Sequence, residues 1–154
     1  APKKGQMMPV KVLTHVTGSL QFVSGAVVQV MLSFDVMNHT HRPLELYGTE
    51  ASLEVPDPNM FGGEVKIAKR RGEWENVPVK FPYTDNSRSL GVAYMAHAIL
   101  SDRPHRCSGD LALHVLEVME AFAVASKSGE TVKIRTRVER PAHISESLKR
   151  GRIS

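Results

Sequence analysis

The stretch THVTGSLQFVSGAVVQVMLSFDVM, residues 14–37, decides the fold of this chain because it contains two consecutive strand-like segments. The apolar residues on one face of the first segment are Val16, Leu20 and Phe22. Ser24-Gly25 is typical of a two-residue turn between antiparallel strands. The second segment, residues 26–37, is apolar at both parities, which is typical of a strand covered on both faces. The stretch therefore predicts an antiparallel hairpin whose second strand is buried on both sides.

Four shorter strands are predicted after the hairpin, each bounded by polar, glycine or proline residues. Their expected ranges are 44–48, 51–55, 64–68 and 74–79. Pro56 and Pro58 have no backbone N–H to donate to a sheet ladder, so they end the second of these strands. Short turns join the strands, and this spacing predicts an antiparallel meander.

The spacing of the apolar residues then changes from that of a strand to that of a helix. A first helix is predicted from Leu90 until the stop before Pro104. A second helix is predicted from near Ser108 to the glycine stop at Gly129. The chain is thus expected to place two long helices after its strands.

A last alternating strand is predicted over residues 131–136. A run of strands followed by paired helices indicates an α+β domain, with an open, mainly antiparallel β-sheet and helices packed on one face. Because two helices can cover only one face, we expect the other face to be available for oligomerisation. The expected organisation is a leader over residues 1–11, a domain over 12–141 and a polar basic tail over 142–154.

The composition is that of one globular domain, with 154 residues of which 42% are hydrophobic and 23% charged. No apolar run approaches the ~20 residues of a membrane span. The single cysteine, Cys107, allows no internal disulfide and favours a cytoplasmic protein, with a loop position preferred over a catalytic thiol. The formal charge of +4 is concentrated near the chain ends, so we expect neither nucleic acid nor a membrane as a partner.

Several candidate sites have an ordinary structural explanation. The sequence contains no G-x-G-x-x-G fingerprint, P-loop or βαβ pattern, so this chain alone is not expected to bind a dinucleotide. His39 and His41 would share a strand face, but they lack a third ligand and no metal site is predicted. His105 and Arg106 could meet an anion near the start of the second helix, with a solvated loop as the alternative.

Residues 48–63, GTEASLEVPDPNMFGG, resemble the central hairpin of a known C-terminal domain. This is the substrate-side domain of the Gfo/Idh/MocA oxidoreductases, which include glucose–fructose oxidoreductase and inositol dehydrogenase. The further stretches that resemble it are residues 14–18, 86–96, 103–106 and 113–119. Their order along the chain is the family's order, and the resemblance extends from about Val12 to Pro141.

The resemblance implies an NAD- or NADP-dependent oxidoreductase that acts on a sugar, a polyol or a related hydroxyl compound. In that family an N-terminal Rossmann domain carries the cofactor, and the catalytic lysine and Asp/His pair precede the segment present here. We therefore expect this chain to be the substrate-binding and oligomerisation domain, cut away from its Rossmann domain. No catalytic residue is assigned, and the chain alone is expected to be inactive and to bind no cofactor.

The resemblance also implies which residues contact the small hydroxylated substrate. The residues at the corresponding positions are Asn38, His39, Tyr83, Asn86 and Arg88. Their amide, imidazole, phenol and guanidinium groups could bind substrate hydroxyls. The structural alternatives are that Asn86 caps a helix and that Arg88 is solvated. Family members commonly form homodimers or tetramers through the sheet, which agrees with a strand that is apolar on both faces.

Two other functions stay open at this point. The first is a stand-alone ligand-binding or scaffolding module without catalysis, which never had a Rossmann domain. The second is a nucleic-acid-binding domain, which is suggested only by the net charge of the chain.

Overall fold

The computed structural model describes residues 4–146 and 152–153, and parts of the predicted leader (1–3) and tail (147–151 and 154) lie outside them. Six strands precede two helices. The strands are β1 His15–Gln21, β2 Val27–Ser33, β3 Leu44–Tyr47, β4 Ala51–Val55, β5 Val65–Lys69 and β6 Glu75–Val77. The 3-10 helix is Pro58–Met60, and the α-helices are α1 Leu90–Leu100 and α2 Gly109–Ser128. Antiparallel strands followed by two helices make this an α+β protein, as the sequence predicts.

The predicted hairpin is confirmed, but its connection, residues 22–26, is longer than the predicted two-residue turn. β1 and β2 pair in antiparallel fashion, with Gly18 opposite Val30. The tight turn is closed by a hydrogen bond from the Phe22 amide to the Ala26 carbonyl (2.9 Å), and Gly25 takes a left-handed conformation there (φ 90°). β2 ends at Ser33, earlier than the sequence predicts. Beyond it, Asp35 makes side-chain hydrogen bonds in place of ladder bonds: its amide donates to Ser33 Oγ (3.1 Å) and its Oδ2 accepts from Thr14 Oγ1 (2.6 Å).

The predicted single sheet is observed as two. β1 and β2 form a two-stranded sheet, whereas β3 to β6 form a four-stranded antiparallel meander in sequence order. Leu46 lies opposite Leu53, which lies opposite Ile67. Alternation along a strand specifies which face is apolar but not which strands pair, so it did not separate the two sheets.

The two helices have different starts. Ser89 occupies the N-cap position of α1 but makes no side-chain hydrogen bond there. At α2, Ser108 Oγ accepts a hydrogen bond from the Leu111 amide (3.2 Å), which satisfies one of the unpaired N–H groups of the first turn. α2 ends where Gly129 takes a left-handed conformation (φ 71°), which confirms the predicted glycine stop.

The last predicted strand does not form. Residues 131–138 alternate between exposed and half-buried positions, as expected, but no strand is assigned to them. Thr136 lies instead against α2, where its Oγ1 is 2.8 Å from His114 Nδ1. The alternating pattern therefore indicates an extended segment with one covered face. It does not form a strand, because a sheet ladder also requires a partner strand.

The chain divides into two compact units, and each is described by itself. Unit 1 comprises residues 1–39 and 117–134, and unit 2 comprises residues 40–116 and 135–154. In unit 1, the Phe122 ring of α2 contacts β1 at Gly18. No described helix is long and apolar enough to cross a membrane.

Burial is sparse throughout the described residues. Ala98 in α1 is the one described residue that is fully buried. The prediction that β2 is covered on both faces is not met within this chain, because Val27, Met31 and Leu32 are exposed. Much apolar surface that a closed domain would bury is therefore open to solvent.

Candidate functional site

The connection between β4 and β5 is a shaped turn in unit 2. Asp57 begins it, and its Oδ1 accepts a hydrogen bond from the Asn59 amide (2.8 Å). A short 3-10 helix follows, after which Phe61 takes a left-handed conformation (φ 65°). Gly63 also has positive φ (130°), which a glycine adopts without steric cost. These conformations fix the directions in which the side chains of the turn leave the backbone.

This turn packs closely against the segment that leads into α1. A Cβ atom added to Gly62 would lie 2.1 Å from the Thr84 carbonyl oxygen, so only glycine fits at that position. The obstacle is backbone, which cannot move aside as a side chain can. The contact places the turn residues next to residues 83–88, where three of the predicted substrate contacts lie.

Arg88 joins the two segments. Its Nη1 donates to Asn59 Oδ1 (3.1 Å) and its Nη2 to the Asn59 carbonyl (3.4 Å). Its guanidinium carbon lies 5.7 Å from the centre of the Phe61 ring, within the range of a cation–π interaction. Arg88 is exposed, as the alternative of a solvated side chain expects, but it also contacts Asn59 and Phe61, which the sequence did not indicate as its partners.

Tyr83 and Asn86 lie in the same segment as Arg88 but differ in their contacts. Tyr83 is half-buried and has positive φ (65°), and its hydroxyl donates to the Arg152 carbonyl (2.6 Å). Asn86 is exposed, and the N-cap of α1 is Ser89, so the alternative of Asn86 as the cap is not met. Tyr83 and Arg88 thus lie at the two ends of one short polar segment and contact different partners, Arg152 and Asn59.

The other two predicted contacts lie in unit 1. Asn38 and His39 are exposed and follow the end of β2. Their participation in one site with Tyr83, Asn86 and Arg88 stays a prediction.

A second polar cluster surrounds Tyr94 in α1. The guanidinium carbons of Arg103 and Arg106 lie 5.5 Å and 4.4 Å from the centre of its ring. Arg103 Nη2 also lies 2.8 Å from His97 Nδ1, which accepts the hydrogen bond in the neutral tautomer protonated at Nε2. Tyr94 and His97 share a helix face at a spacing of three residues, so both meet the loop that follows α1.

Residues 142–143 of the C-terminal segment are hydrogen-bonded to this cluster. Arg106 Nε donates to the Ala142 carbonyl (2.6 Å), and Arg106 Nη2 donates to the His143 carbonyl (3.1 Å). The His143 ring meets Phe81 edge to face, with ring centres 5.7 Å apart. The beginning of the predicted tail is therefore bound to the rest of unit 2.

A cleft of about 240 Å³ opens beside the β4–β5 turn. Two ion pairs border it, Arg42 with Glu54 (3.3 Å) and Lys66 with Glu64 (3.4 Å). Because each cation is already paired, the charges of the cleft largely cancel. Only the tertiary pairing of β4 with β5 creates this feature, and the sequence analysis did not anticipate it.

The described residues contain no group of three His, Cys, Asp or Glu side chains placed to hold a metal ion. Cys107 is exposed in the loop between the helices. Comparisons with protein-family models, with curated proteins and with solved structures found no match for this chain.

Proposed function

We propose that this chain is the substrate-binding and oligomerisation domain of an NAD(P)-dependent oxidoreductase that acts on a sugar, polyol or related hydroxyl compound. The proposal begins from a resemblance to the Gfo/Idh/MocA oxidoreductases. The resemblance is carried by residues 48–63 and by the further stretches 14–18, 86–96, 103–106 and 113–119. The observation that carries it further is the contact of Arg88 with Asn59 and Phe61, which joins two of those stretches.

The chemistry of this cluster suits a hydroxylated ligand. Arg88 supplies donors and Asn59 supplies both a donor and an acceptor, so together they complement hydroxyl groups. Half-buried Phe61 supplies an apolar face for the carbon skeleton of the ligand. A small number of convergent polar groups beside an aromatic ring is the usual composition of a small-molecule site. Because the arginine is held by two hydrogen bonds, its orientation is set before the substrate arrives.

The open apolar surface supports the oligomerisation role. Phe34 is 92% exposed, and the neighbouring β2 side chains Val27, Met31 and Leu32 are exposed as well. Val27 and Met31 lie on one face of the strand, and Leu32 and Phe34 have the opposite parity. Exposed apolar side chains gain free energy when another surface covers them, at about 25 cal/mol per Å². In the proposed enzyme, a second copy of the domain or the Rossmann domain would supply that surface, as a homodimer or tetramer.

The cofactor would be NAD or NADP, held by the Rossmann domain. Every strand pair among the described residues is antiparallel, whereas dinucleotide sites are built from parallel βαβ units. This domain would orient the substrate carbon for hydride exchange with the nicotinamide.

The test uses the native protein, recovered from its source cells with an antibody against this chain. Its mass is measured first, and NAD(P)-dependent oxidation is then assayed with a panel of sugars and polyols. The proposal expects a mass well above 17.0 kDa and turnover of at least one hydroxylated substrate. Arg88→Gln should raise KM for that substrate about tenfold or more, because a charged hydrogen-bond donor is lost.

Arg70→Gln is the matched control, because Arg70 lies in the exposed turn between β5 and β6 and should leave KM unchanged. A native protein of 17.0 kDa without turnover would overturn the proposal and favour a binding or scaffolding module. Turnover with an unchanged KM in the Arg88 variant would reject the substrate site at Arg88 but would leave the proposed oxidoreductase function standing.

A further inference from the structure

Two arginines share one aromatic ring in the loop between α1 and α2, and neither is paired with a carboxylate among the described residues. We propose that Arg103, Arg106 and His105 form a binding site for a doubly charged oxyanion of the phosphate class, beside Tyr94. The site is separate from the proposed substrate cluster at Arg88, and it does not depend on hydride transfer.

The loop contains hydrogen-bond donors that have no acceptor among the described residues. Arg103 Nε and Arg106 Nη1 are shielded from solvent and have no hydrogen-bond partner among the described residues. The same holds for His105 Nδ1, which can donate in one tautomer. A shielded donor without a partner loses its hydrogen bonds to water and gains none in return, and the cost is larger if the group is charged. Three such atoms within four residues indicate that an acceptor from outside completes the site.

Arg88 provides an internal comparison. It also lies over an aromatic ring, Phe61, but both of its terminal nitrogens donate to Asn59. Arg88 is exposed, so water can reach any of its nitrogens that lacks a protein partner. Arg103 Nε and Arg106 Nη1 differ from the nitrogens of Arg88 because they are shielded from water and have no partner among the described residues.

The loop also concentrates positive charge beside Tyr94. Two guanidinium groups on one ring repel each other, and their half-buried positions screen that repulsion less than bulk water would. A dianion cancels both charges at once, whereas a single carboxylate leaves one uncompensated. α2 begins just after the loop, capped by Ser108, and the positive end of its dipole adds to the attraction for an anion.

The two arginines are held by different numbers of hydrogen bonds. Arg106 is fixed by the carbonyls of Ala142 and His143. The Arg103 side chain makes one described hydrogen bond, to His97. Because the unpartnered atoms are shielded from solvent, entry of an anion requires one guanidinium to turn, and Arg103 is the one that can. We expect Arg106 to keep its position when the anion binds, and the Arg103 side chain to turn and close over the bound anion.

The experiment is calorimetric titration of the intact protein with inorganic phosphate, at constant ionic strength set with sodium chloride. Sulfate serves as a second dianion and acetate as a monoanion. We expect saturable binding of phosphate and sulfate, and affinity for acetate at least about tenfold lower. Arg103→Gln and Arg106→Gln should each weaken phosphate binding about tenfold or more, and Arg88→Gln should leave it unchanged.

Circular dichroism of each variant verifies that it is folded, and Arg103→Gln is the safer variant because only one side-chain hydrogen bond is lost. Absence of saturable phosphate binding to the intact protein would overturn the site. So would phosphate affinity that is unchanged in folded Arg103 and Arg106 variants, or acetate binding as tight as phosphate. The readout is binding alone, so its failure leaves the proposed oxidoreductase role untouched.

Discussion

The Phe122 ring of α2 lies so close to Gly18 of β1 that a Cβ atom at residue 18 would come within 2.6 Å of Phe122 Cε1. The absence of a side chain at Gly18 therefore allows the Phe122 ring of α2 to pack against β1. The partner of Gly18 across the ladder is Val30, so the same position also belongs to the centre of the β1–β2 sheet.

Gly18→Ala should lower the free energy of unfolding by about 1–3 kcal/mol, because an added methyl overfills this contact. Urea denaturation measures the loss. The control is Gly91→Ala, since residue 91 has open space around it inside α1 and alanine there should stabilise by about 0.5–1 kcal/mol. In a Phe122→Leu background the cost of Gly18→Ala should shrink. An equal cost in both backgrounds would contradict the contact.

Gly62→Ala should be more damaging than Gly18→Ala. The obstacle at residue 62 is the Thr84 carbonyl, at 2.1 Å, so backbone rather than a ring must move. We expect a loss above about 2 kcal/mol in the free energy of unfolding, together with separation of Arg88 from Asn59. Gly109→Ala, which meets no atom within 4 Å, is the control. A Gly62 variant as stable as this control would argue against the packed turn.

The contact of Arg88 with Asn59 can be measured by a double-mutant cycle. The single variants are Arg88→Gln and Asn59→Ala, and the coupling free energy comes from urea denaturation of all four proteins. We expect about 0.5–1 kcal/mol, because the pair is exposed and water competes for both groups. A coupling of zero would mean that the two segments are not joined by these side chains.

Thr136→Val tests the contact between α2 and the C-terminal segment. Valine keeps the branched shape but removes the hydroxyl that lies 2.8 Å from His114 Nδ1 in a half-buried position. The free energy of unfolding should fall by about 0.5–1.5 kcal/mol. Thr131→Val is the matched control at an exposed position of the same extended segment, and it should change little. Equal effects at both positions would rule out a specific role for the hydrogen bond.

The pKa of the Tyr47 phenol is raised above its ordinary value of 10.0, chiefly by its hydrogen bond with Glu45 and then by desolvation and nearby carboxylate charge. Because the folded state favours the neutral phenol, its stabilising contribution is present below pH 10 and is lost as the pH rises through the folded pKa. Glu45→Gln should lower the titration midpoint of Tyr47 in an NMR titration, whereas Glu50→Gln should not. A midpoint unchanged by Glu45→Gln would refute this cause.

The local elements follow from the sequence because short-range rules produce them. Alternating residues gave the strands, the Ser24-Gly25 turn gave the hairpin, and the glycine after Ser128 ended α2. The resemblance directed attention to Tyr83, Asn86 and Arg88, and two of these take part in defined contacts. The strands, the turn and the helix stop depend on neighbours within a few positions along the chain, whereas Tyr83, Asn86 and Arg88 were indicated by the resemblance alone.

The tertiary structure alone decided how these elements are partnered. Residues 131–136 have the alternation of a strand yet form none, because a ladder needs a second strand that the pattern does not specify. The sequence likewise could not show that Arg88 reaches Asn59, or that Arg103 and Arg106 share the Tyr94 ring. Contacts between residues far apart in the chain depend on the path of the backbone in space, so composition and periodicity determined the elements and the fold determined the sites.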